Sequence, residues 1–296
     1  MSLEITNVTR RYGEVTAVSD ISLSMAPGER VALLGHNGAG KTTLMKMILG
    51  LTHLDEGSIS VFGATPGSHA ARSASSYLPE NVAFHRSLTG REQLLLLARL
   101  RGVGRRPADE LLERVGLHRA ADRRIATYSK GMRQRLGLAQ ALLGKPRVAV
   151  LDEPTSGLDP ISRGDFYNLV NELSSNGTAV LLSSHALTEL EARTDRIAIL
   201  LEGRLVANAP LAMLRSQARL PIRLRVAARP EKSDEVADRL GAVRTSGRSI
   251  EISCLQDEKL GHLGRIAALE SLIEDVEVAP PSLEDLYRYY SGGGSI

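Results

Sequence analysis

The stretch RVALLGHNGAGKTTLMKMILGL, residues 30–51, joins an apolar run, a glycine-rich segment and a helical run without interruption. The apolar run predicts a buried strand, and GHNGAGKT at residues 35–42 fits the G-x-x-x-x-G-K-[ST] pattern of a phosphate-binding loop. Glycines let successive backbone N–H groups converge on phosphate, and the N-terminus of the following helix adds partial positive charge. This unit therefore predicts an α/β fold that binds a nucleotide.

Two acidic residues follow a second apolar strand, VAVL at residues 148–151. Asp152 at the strand end can reach the coordination shell of a Mg²⁺ ion that Thr42 also ligates, and Glu153 can polarise an attacking water. Lys41 would contact the β- and γ-phosphate oxygens. A lysine, a metal ion and a placed water are what hydrolysis of a phosphoanhydride requires. The sequence therefore predicts a nucleoside triphosphatase.

A second anion-binding pattern, TYSKGMRQR, lies at residues 127–135. Ser129 can cap a helix, Gly131 leaves backbone N–H groups open, and basic residues follow at once. A further candidate, His185, ends the apolar strand TAVLLSSH, where ligands of open α/β sheets collect. A lone histidine at such a position is more often structural, so His185 becomes a functional candidate only together with other motifs.

The chain resembles the ATPase cassette of ABC transporters over roughly residues 3–215. The resemblance implies a P-loop cassette with a RecA-like core, an antiparallel β subdomain and a helical subdomain at about 88–145. In that family two cassettes pair head to tail. The segment of one chain that corresponds to residues 127–135 here caps the γ-phosphate held by the phosphate loop of the other chain. The resemblance is carried by five features that follow one another in the order typical of that family: GHNGAGKT at 35–42, YSKGM at 128–132, VAVLDEP at 148–154, SGLD at 156–159 and His185.

The resemblance also implies a role for each matching residue. Lys41, Glu153 as general base and His185 as sensor of the γ-phosphate would be catalytic. Thr42, Asp152 and Glu80 would hold Mg²⁺. Tyr12 would stack on adenine, Ser129 and Gly131 would act on the partner's ATP, and Asp159 would lie at the dimer seam. The ATP-binding residues of the loop itself would be Gly35, Asn37, Gly38, Gly40, Lys41, Thr42 and Thr43.

Two segments depart from the family pattern. The signature segment is usually Leu-Ser-Gly-Gly-Gln, whereas here Lys130 adds a cation and Met132 removes a side-chain amide. Glu80 stands where the family usually carries a glutamine that contacts Mg²⁺. A carboxylate can still bind the metal, although it adds negative charge beside the triphosphate. The departures at Lys130 and Met132 therefore bear on the geometry toward a partner's nucleotide, and the one at Glu80 bears on the metal site within one chain.

The resemblance implies two kinds of partner, a second copy of the chain and a polytopic membrane permease. Segments such as YLPENV at 77–82 and PSLEDLYRYY at 281–290 further resemble the ATPase subunit of the Nos transporter, which serves maturation of the copper enzyme nitrous oxide reductase. A periplasmic protein that accepts the cargo would then join the complex. The alternative is the ATPase of a sister exporter for drugs or lipids. The chain itself has one Cys and no Cys-x-x-Cys motif, so cargo specificity must lie in its partners.

Other function classes fit the sequence less well. Aromatic residues make up 3% of the chain and Trp is absent, which leaves little for bases to stack on and disfavours a nucleic-acid partner. A soluble family member acting on DNA would need a long coiled coil before YSKGM, and one acting on ribosomes would need two cassettes. A binding module that has lost catalysis is disfavoured by Lys41 and Glu153.

The last part of the chain, residues 221–290, reads as a separate unit. Its pattern of strand, helix, hairpin, helix and strand predicts a small α+β, ferredoxin-like domain with a helical tail, which serves as a sensor or as a dimer-stabilising or partner-docking appendage. The single cysteine, Cys254, excludes an internal disulfide, and the longest apolar runs fall short of the ~20 residues that a membrane span needs. We therefore expect the protein at the cytoplasmic side of the inner membrane, held there by a membrane subunit.

Overall fold

The computed structural model describes residues 1–184, 186–246 and 248–292. It divides the chain into two compact units, Met1–Pro210 and Leu211–Ile296. No helix in the described part of the chain combines the length and the apolar character needed to cross a bilayer.

The first unit alternates strands and helices along most of its length. Its strands are β1 (Leu3–Tyr12), β2 (Val15–Met25), β3 (Arg30–Leu34), β4 (Glu56–Val61), β5 (Ser75–Leu78), β6 (Val148–Leu151), β7 (Ala179–Ser183), β8 (Arg196–Leu201) and β9 (Arg204–Ala209). Its helices are α1 (Lys41–Ile48), α2 (His69–Ala74), α3 (Gly90–Leu100), α4 (Arg105–Arg114), α5 (Lys130–Leu142), α6 (Pro160–Ser175) and α7 (Leu187–Glu191).

A six-stranded sheet forms the centre of this unit, with the order β5-β6-β7-β3-β8-β9. Its strands pair in parallel except for β9, which is antiparallel to β8. Every residue of β6 and β7 is buried, which is the pattern of strands covered on both faces. Because β7 lies between β3 and β6, the loop after β3 and the acids after β6 meet at the same edge of the sheet.

Two smaller layers accompany this sheet. Strands β2, β1 and β4 form a three-stranded antiparallel sheet whose apolar side chains share a core with Leu44, Met45 and Ile48 of α1. Helices α3, α4 and α5 fall within the segment that the sequence predicts to be helical. Thr89 and Glu92 form a capping box at the start of α3, which satisfies two N–H groups of its first turn. The fold is thus an α/β cassette with an antiparallel and a helical part.

The second unit begins with α8 (Leu211–Ala218), in which Arg215 Nε donates to the carbonyl of Pro281 at 2.7 Å. Its sheet is antiparallel, with the order β11-β12-β10-β13, and Cys254 is buried in its core. The further elements are β10 (Ile222–Ala228), α9 (Ser233–Leu240), β11 (Val243–Ser246), β12 (Ser249–Cys254), α10 (Lys259–Ala267), β13 (Ile273–Ala279) and α11 (Leu283–Ser291).

Candidate nucleotide-binding site

The loop between β3 and α1 turns sharply around its glycines. Gly40 has a φ of 101°, and a Cβ at this position would lie 2.4 Å from the carbonyl oxygen of Ala17. Only glycine fits such an approach. Gly40 is also the N-cap of α1, and no side chain caps this helix. The N–H groups of the first turn of α1 therefore remain directed at the space in front of the helix, as anion binding requires.

Lys41 reaches back across this loop. Its Nζ donates to the carbonyl of Gly35 at 2.5 Å and to that of His36 at 3.2 Å. Burial lowers the pKa of Lys41, and the negative charges of Glu153 and Asp152 act in the opposite direction. The ammonium group is thus held at the loop with carboxylates near it, where it can contact phosphate oxygens.

The two acids after β6 are buried and fixed by hydrogen bonds. Asp152 is 6% exposed and Glu153 is 8% exposed. Thr42 Oγ1 donates to Oδ2 of Asp152 at 3.3 Å, which brings the helix start and the strand end together. Ser183 Oγ, at the end of β7, donates to the other oxygen of Asp152 at 2.7 Å and accepts the N–H of Glu153 at 2.9 Å. Glu153 has a φ of 47°, a left-handed backbone that is uncommon for a residue with a side chain.

A pocket of about 190 Å³ brings most of the predicted residues of one chain together. Oxygen ligands of the kind that Mg²⁺ prefers lie on it, and they come from Thr42, Asp152 and the exposed Glu80. The described residues hold no cluster of three or more His, Cys, Asp or Glu side chains that could bind a metal. The oxygen donors of Thr42, Asp152 and Glu80 fit Mg²⁺ beside a nucleotide, since that ion takes one or two carboxylates and completes its shell with phosphates and water. The predicted residues that line the pocket are Asn37, Gly38, Gly40, Lys41, Thr42, Thr43, Glu80, Asp152 and Glu153.

Five other predicted residues do not line this pocket. Gly35 is not part of the pocket wall, and its carbonyl accepts a hydrogen bond from Lys41 Nζ. Ser129 caps α5 by accepting the N–H of Met132 at 3.2 Å, and Gly131 lies in the first turn of that helix. Asp159 caps α6 and is exposed, and hydrogen bonds from Ser162 lower its pKa.

Tyr12, the fifth of them, lies at the end of β1. Its side chain is 47% exposed, and the guanidinium of Arg10 lies 4.5 Å from the centre of its ring. Its hydroxyl is 3.4 Å from Thr52 Oγ1. The pKa of Tyr12 is lowered, chiefly by the hydrogen bond with Thr52 and next by Arg10. An exposed ring with a cation against it is a surface on which a base can stack.

His185, the remaining predicted residue, lies outside the described residues. The sequence did not indicate Ala17 and His36, which also line the pocket. It also missed Ser183, whose position one strand away from the acids is visible only once the order of the strands is known.

A larger cavity, of about 340 Å³, lies between α4, α5 and α6. Neither the phosphate loop nor the two acids contribute to its walls. The smaller pocket is therefore the candidate site, because its chemistry rather than its volume matches a nucleotide.

This loop, lysine and acid pair at one edge of a parallel sheet define a P-loop nucleoside triphosphatase. A family model described as "ABC transporter" matches residues 18–156. The bacitracin transport ATP-binding protein BcrA of Enterococcus faecalis is 35% identical over 99% of this chain and 97% of its own length. The protein of that name from Bacillus licheniformis is 32% identical over 99% and 98%. The chain belongs to the ABC transporter family as an ATP-binding subunit, and it is an ATPase.

Solved structures agree with this assignment. An ATP-binding subunit of an ABC transporter has a TM-score of 0.70 and 33% identity, over 73% of this chain and 93% of that one. A dimeric cassette in a post-hydrolysis state, with ADP and phosphate bound, has a TM-score of 0.65 over 71% of this chain and 98% of that one. Its identity is 24%, so it supports the fold alone. The α/β cassette fold predicted from the sequence is confirmed.

Proposed function

We propose that this chain pairs head to tail with a second copy when ATP is bound, and that the pair drives a separate membrane permease. The observation that carries this proposal is the division of the phosphate-binding groups within one chain. The loop, Lys41 and both acids surround one pocket, whereas Ser129 and Gly131 lie at an exposed helix start that does not line it. A second copy is what would bring the two halves of the site together.

Within one half-site, each residue has a distinct task. Lys41 and the N–H groups of α1 would bind the phosphates, and Tyr12 would stack on adenine. Thr42, Asp152 and Glu80 would hold Mg²⁺, which would supply positive charge to the triphosphate. Glu153 would accept a proton from the attacking water as general base. His185 would contact the γ-phosphate, and Asp159 would lie at the seam between the copies.

For the cargo, we propose the class carried by exporters of drugs or lipids. This is supported by the two bacitracin transport relatives, because each matches 99% of the chain and so includes the second unit. The second candidate is copper-site maturation of nitrous oxide reductase, supported by the resemblance of YLPENV and PSLEDLYRYY to the ATPase subunit of the Nos transporter. In that case a periplasmic protein would accept the cargo. In both cases the chain would act at the cytoplasmic side of the inner membrane and would not bind nucleic acid.

We also propose that the second unit is a ferredoxin-like domain that stabilises the dimer or docks a partner. Its four strands are antiparallel, and their order places the last strand beside the first and the second strand at the far edge. A chain that ends at Pro210 tests the first role. If it dimerises at the same ATP and protein concentrations as the full chain, the second unit does not stabilise the dimer.

Light scattering of Glu153→Gln, with and without Mg-ATP, tests the head-to-tail dimer. Blocking hydrolysis should trap the closed pair, so we expect the mass to double only with Mg-ATP. Ser129→Arg should abolish this doubling, because it places a long side chain at the start of α5. The matched control is Ser73→Arg, which introduces the same charge at an exposed serine of α2. A mass that never changes, or that Ser73→Arg reduces equally, would contradict the proposal.

Deletion of the gene in its own host distinguishes the two cargo proposals. An exporter of drugs predicts greater sensitivity to bacitracin, whereas the copper role predicts an inactive, copper-deficient nitrous oxide reductase. Complementation with the wild-type chain should restore the phenotype, and complementation with Glu153→Gln should not. Loss of nitrous oxide reduction with unchanged drug tolerance would replace the first cargo proposal with the second.

A further inference from the structure

Ser183 occupies a central position beside the two acids. It ends β7, the strand between the one that precedes the phosphate loop and the one that precedes the acids, and it is 0% exposed. Its single hydroxyl makes two hydrogen bonds, one to each acidic residue: it donates to Asp152 Oδ1 at 2.7 Å and accepts from the N–H of Glu153 at 2.9 Å. A serine hydroxyl can donate once and accept at the same time, so these bonds are compatible.

The bond to Asp152 fixes which carboxylate oxygen faces the phosphate loop. Since Oδ1 accepts from Ser183, Oδ2 is the oxygen that lies 3.3 Å from Thr42 Oγ1. A carboxylate held at one oxygen keeps the rotation that presents the other oxygen to a metal ion. Such outer-shell partners of metal ligands typically change metal affinity or activity ~10- to 100-fold when they are removed.

The bond to Glu153 holds an uncommon backbone turn. The N–H of Asp152 still bonds to the carbonyl of Leu78 on β5, at 2.8 Å. At Glu153 the φ of 47° turns the chain, and its N–H points to β7 instead. A buried N–H without a partner costs free energy, so the hydroxyl of Ser183 stabilises the turn that aims the side chain of Glu153.

We propose that Ser183 is a positioning residue for ATP hydrolysis, which sets the metal-facing oxygen of Asp152 and the turn at Glu153 through one hydroxyl. The inference rests on the proposed roles of Asp152 as metal ligand and Glu153 as general base. Ser183 itself touches neither nucleotide nor metal in this scheme and acts only through these two residues.

The test compares Ser183→Ala, which removes the hydroxyl, with Ser183→Thr, which keeps it. The matched control is Ser76→Ala, a serine that is 2% exposed on β5, the other neighbour of β6, and whose hydroxyl has no hydrogen-bond partner in the described structure. Electron paramagnetic resonance measures Mn²⁺ affinity with a non-hydrolysable ATP analogue. ATPase assays give the Mg²⁺ concentration for half-maximal rate, and a fluorescent nucleotide in EDTA gives metal-free binding.

For Ser183→Ala we expect ~10-fold weaker Mn²⁺ binding and a similar rise in the half-maximal Mg²⁺ concentration. Metal-free nucleotide binding should stay within about twofold, because Ser183 does not line the pocket in front of the phosphate loop. Ser183→Thr should recover most of the metal affinity, and Ser76→Ala should match the wild type.

The inference is overturned if Ser183→Ala binds Mn²⁺ as tightly as Ser76→Ala does. It is also overturned if metal-free binding falls in step with metal binding, since this indicates a general structural defect. Should the extra methyl of Thr prevent folding, the comparison of the two alanine variants decides alone. A wild-type chain without Mg²⁺-dependent turnover would instead refute the proposed function, independently of Ser183.

Discussion

The left-handed backbone at Glu153 allows a stability test of the site that needs no nucleotide. Glu153→Ala and Glu153→Gly both remove the carboxylate, and they differ only by a Cβ on a residue whose φ is 47°. In a strand or helix, glycine is the less stable choice. At this position that disadvantage of glycine should largely disappear, because a Cβ in the left-handed region carries strain that glycine does not.

The magnitude follows from three terms. Loss of a buried methyl costs ~0.8 kcal/mol, and the freedom of glycine in the unfolded chain costs ~0.4–1 kcal/mol. Relief of left-handed strain returns ~1–2 kcal/mol. These terms nearly cancel, so we expect Glu153→Gly and Glu153→Ala to have free energies of unfolding within about 0.5 kcal/mol of each other.

The control is Ala149→Gly on β6, the strand that precedes Glu153, because Ala149 is 0% exposed and does not have a positive φ. There only the first two terms act, so glycine should cost ~1.5 kcal/mol, which is ~3–6 °C in melting temperature for a unit of this size. Calorimetry of the full chain without nucleotide measures the stability of the wild type and of the three variants. If the free energy of unfolding of Glu153→Gly is lower than that of Glu153→Ala by the same ~1.5 kcal/mol, the left-handed backbone at residue 153 does not carry the strain assigned to it.

Three further predictions concern other parts of the molecule. Tyr12→Ala should raise the Kd for Mg-ATP ~10-fold and Tyr12→Phe should leave it within twofold, measured by fluorescence titration; equal effects would refute stacking. Hydrogen bonds from Arg30 lower the pKa of Asp195 below its usual 3.8. The ionised carboxylate therefore stabilises the folded chain above pH 3.8, and this stabilisation is lost as the pH falls below that value and the carboxylate is protonated. Asp195→Asn should therefore cost about 1 kcal/mol at pH 7 in urea unfolding, and the difference from wild type should shrink as the pH falls further below 3.8. Leu224→Ala, in the core of the second unit, should cost ~2–5 kcal/mol by the same method, and a loss under ~1 kcal/mol would contradict its burial.

Most residues that line the candidate pocket could be predicted because each belongs to a local sequence pattern. A strand, a glycine loop and Lys41 are contiguous, and Asp152 follows its strand directly. Each pattern carries its own geometry, so no knowledge of strand order was needed to name these residues.

Residues that act across the sheet could not be predicted in this way. Ser183 is 30 residues from Glu153, and only the placement of β7 beside β6 makes them neighbours. Strand β5 was missed because Ser75–Leu78 is short and half polar, and its place at the edge of the sheet depends on pairing with β6. The contact between Arg215 and Pro281 likewise joins residues 66 apart in the chain, and no local pattern indicates it.

The departure at Lys130 gains a physical explanation from the contacts within the chain. Its Nζ lies 3.2 Å from Ser156 Oγ, and its carbons cover Gly157, where a Cβ would approach within 2.8 Å. The added cation thus joins the segment that begins α5 to the segment that leads to Asp159. Ser129 meanwhile accepts an N–H and keeps its own O–H for a phosphate, because a hydroxyl does both. The two segments proposed to meet a partner's nucleotide are therefore linked in the isolated chain, so a displacement of one on ATP binding should move the other with it.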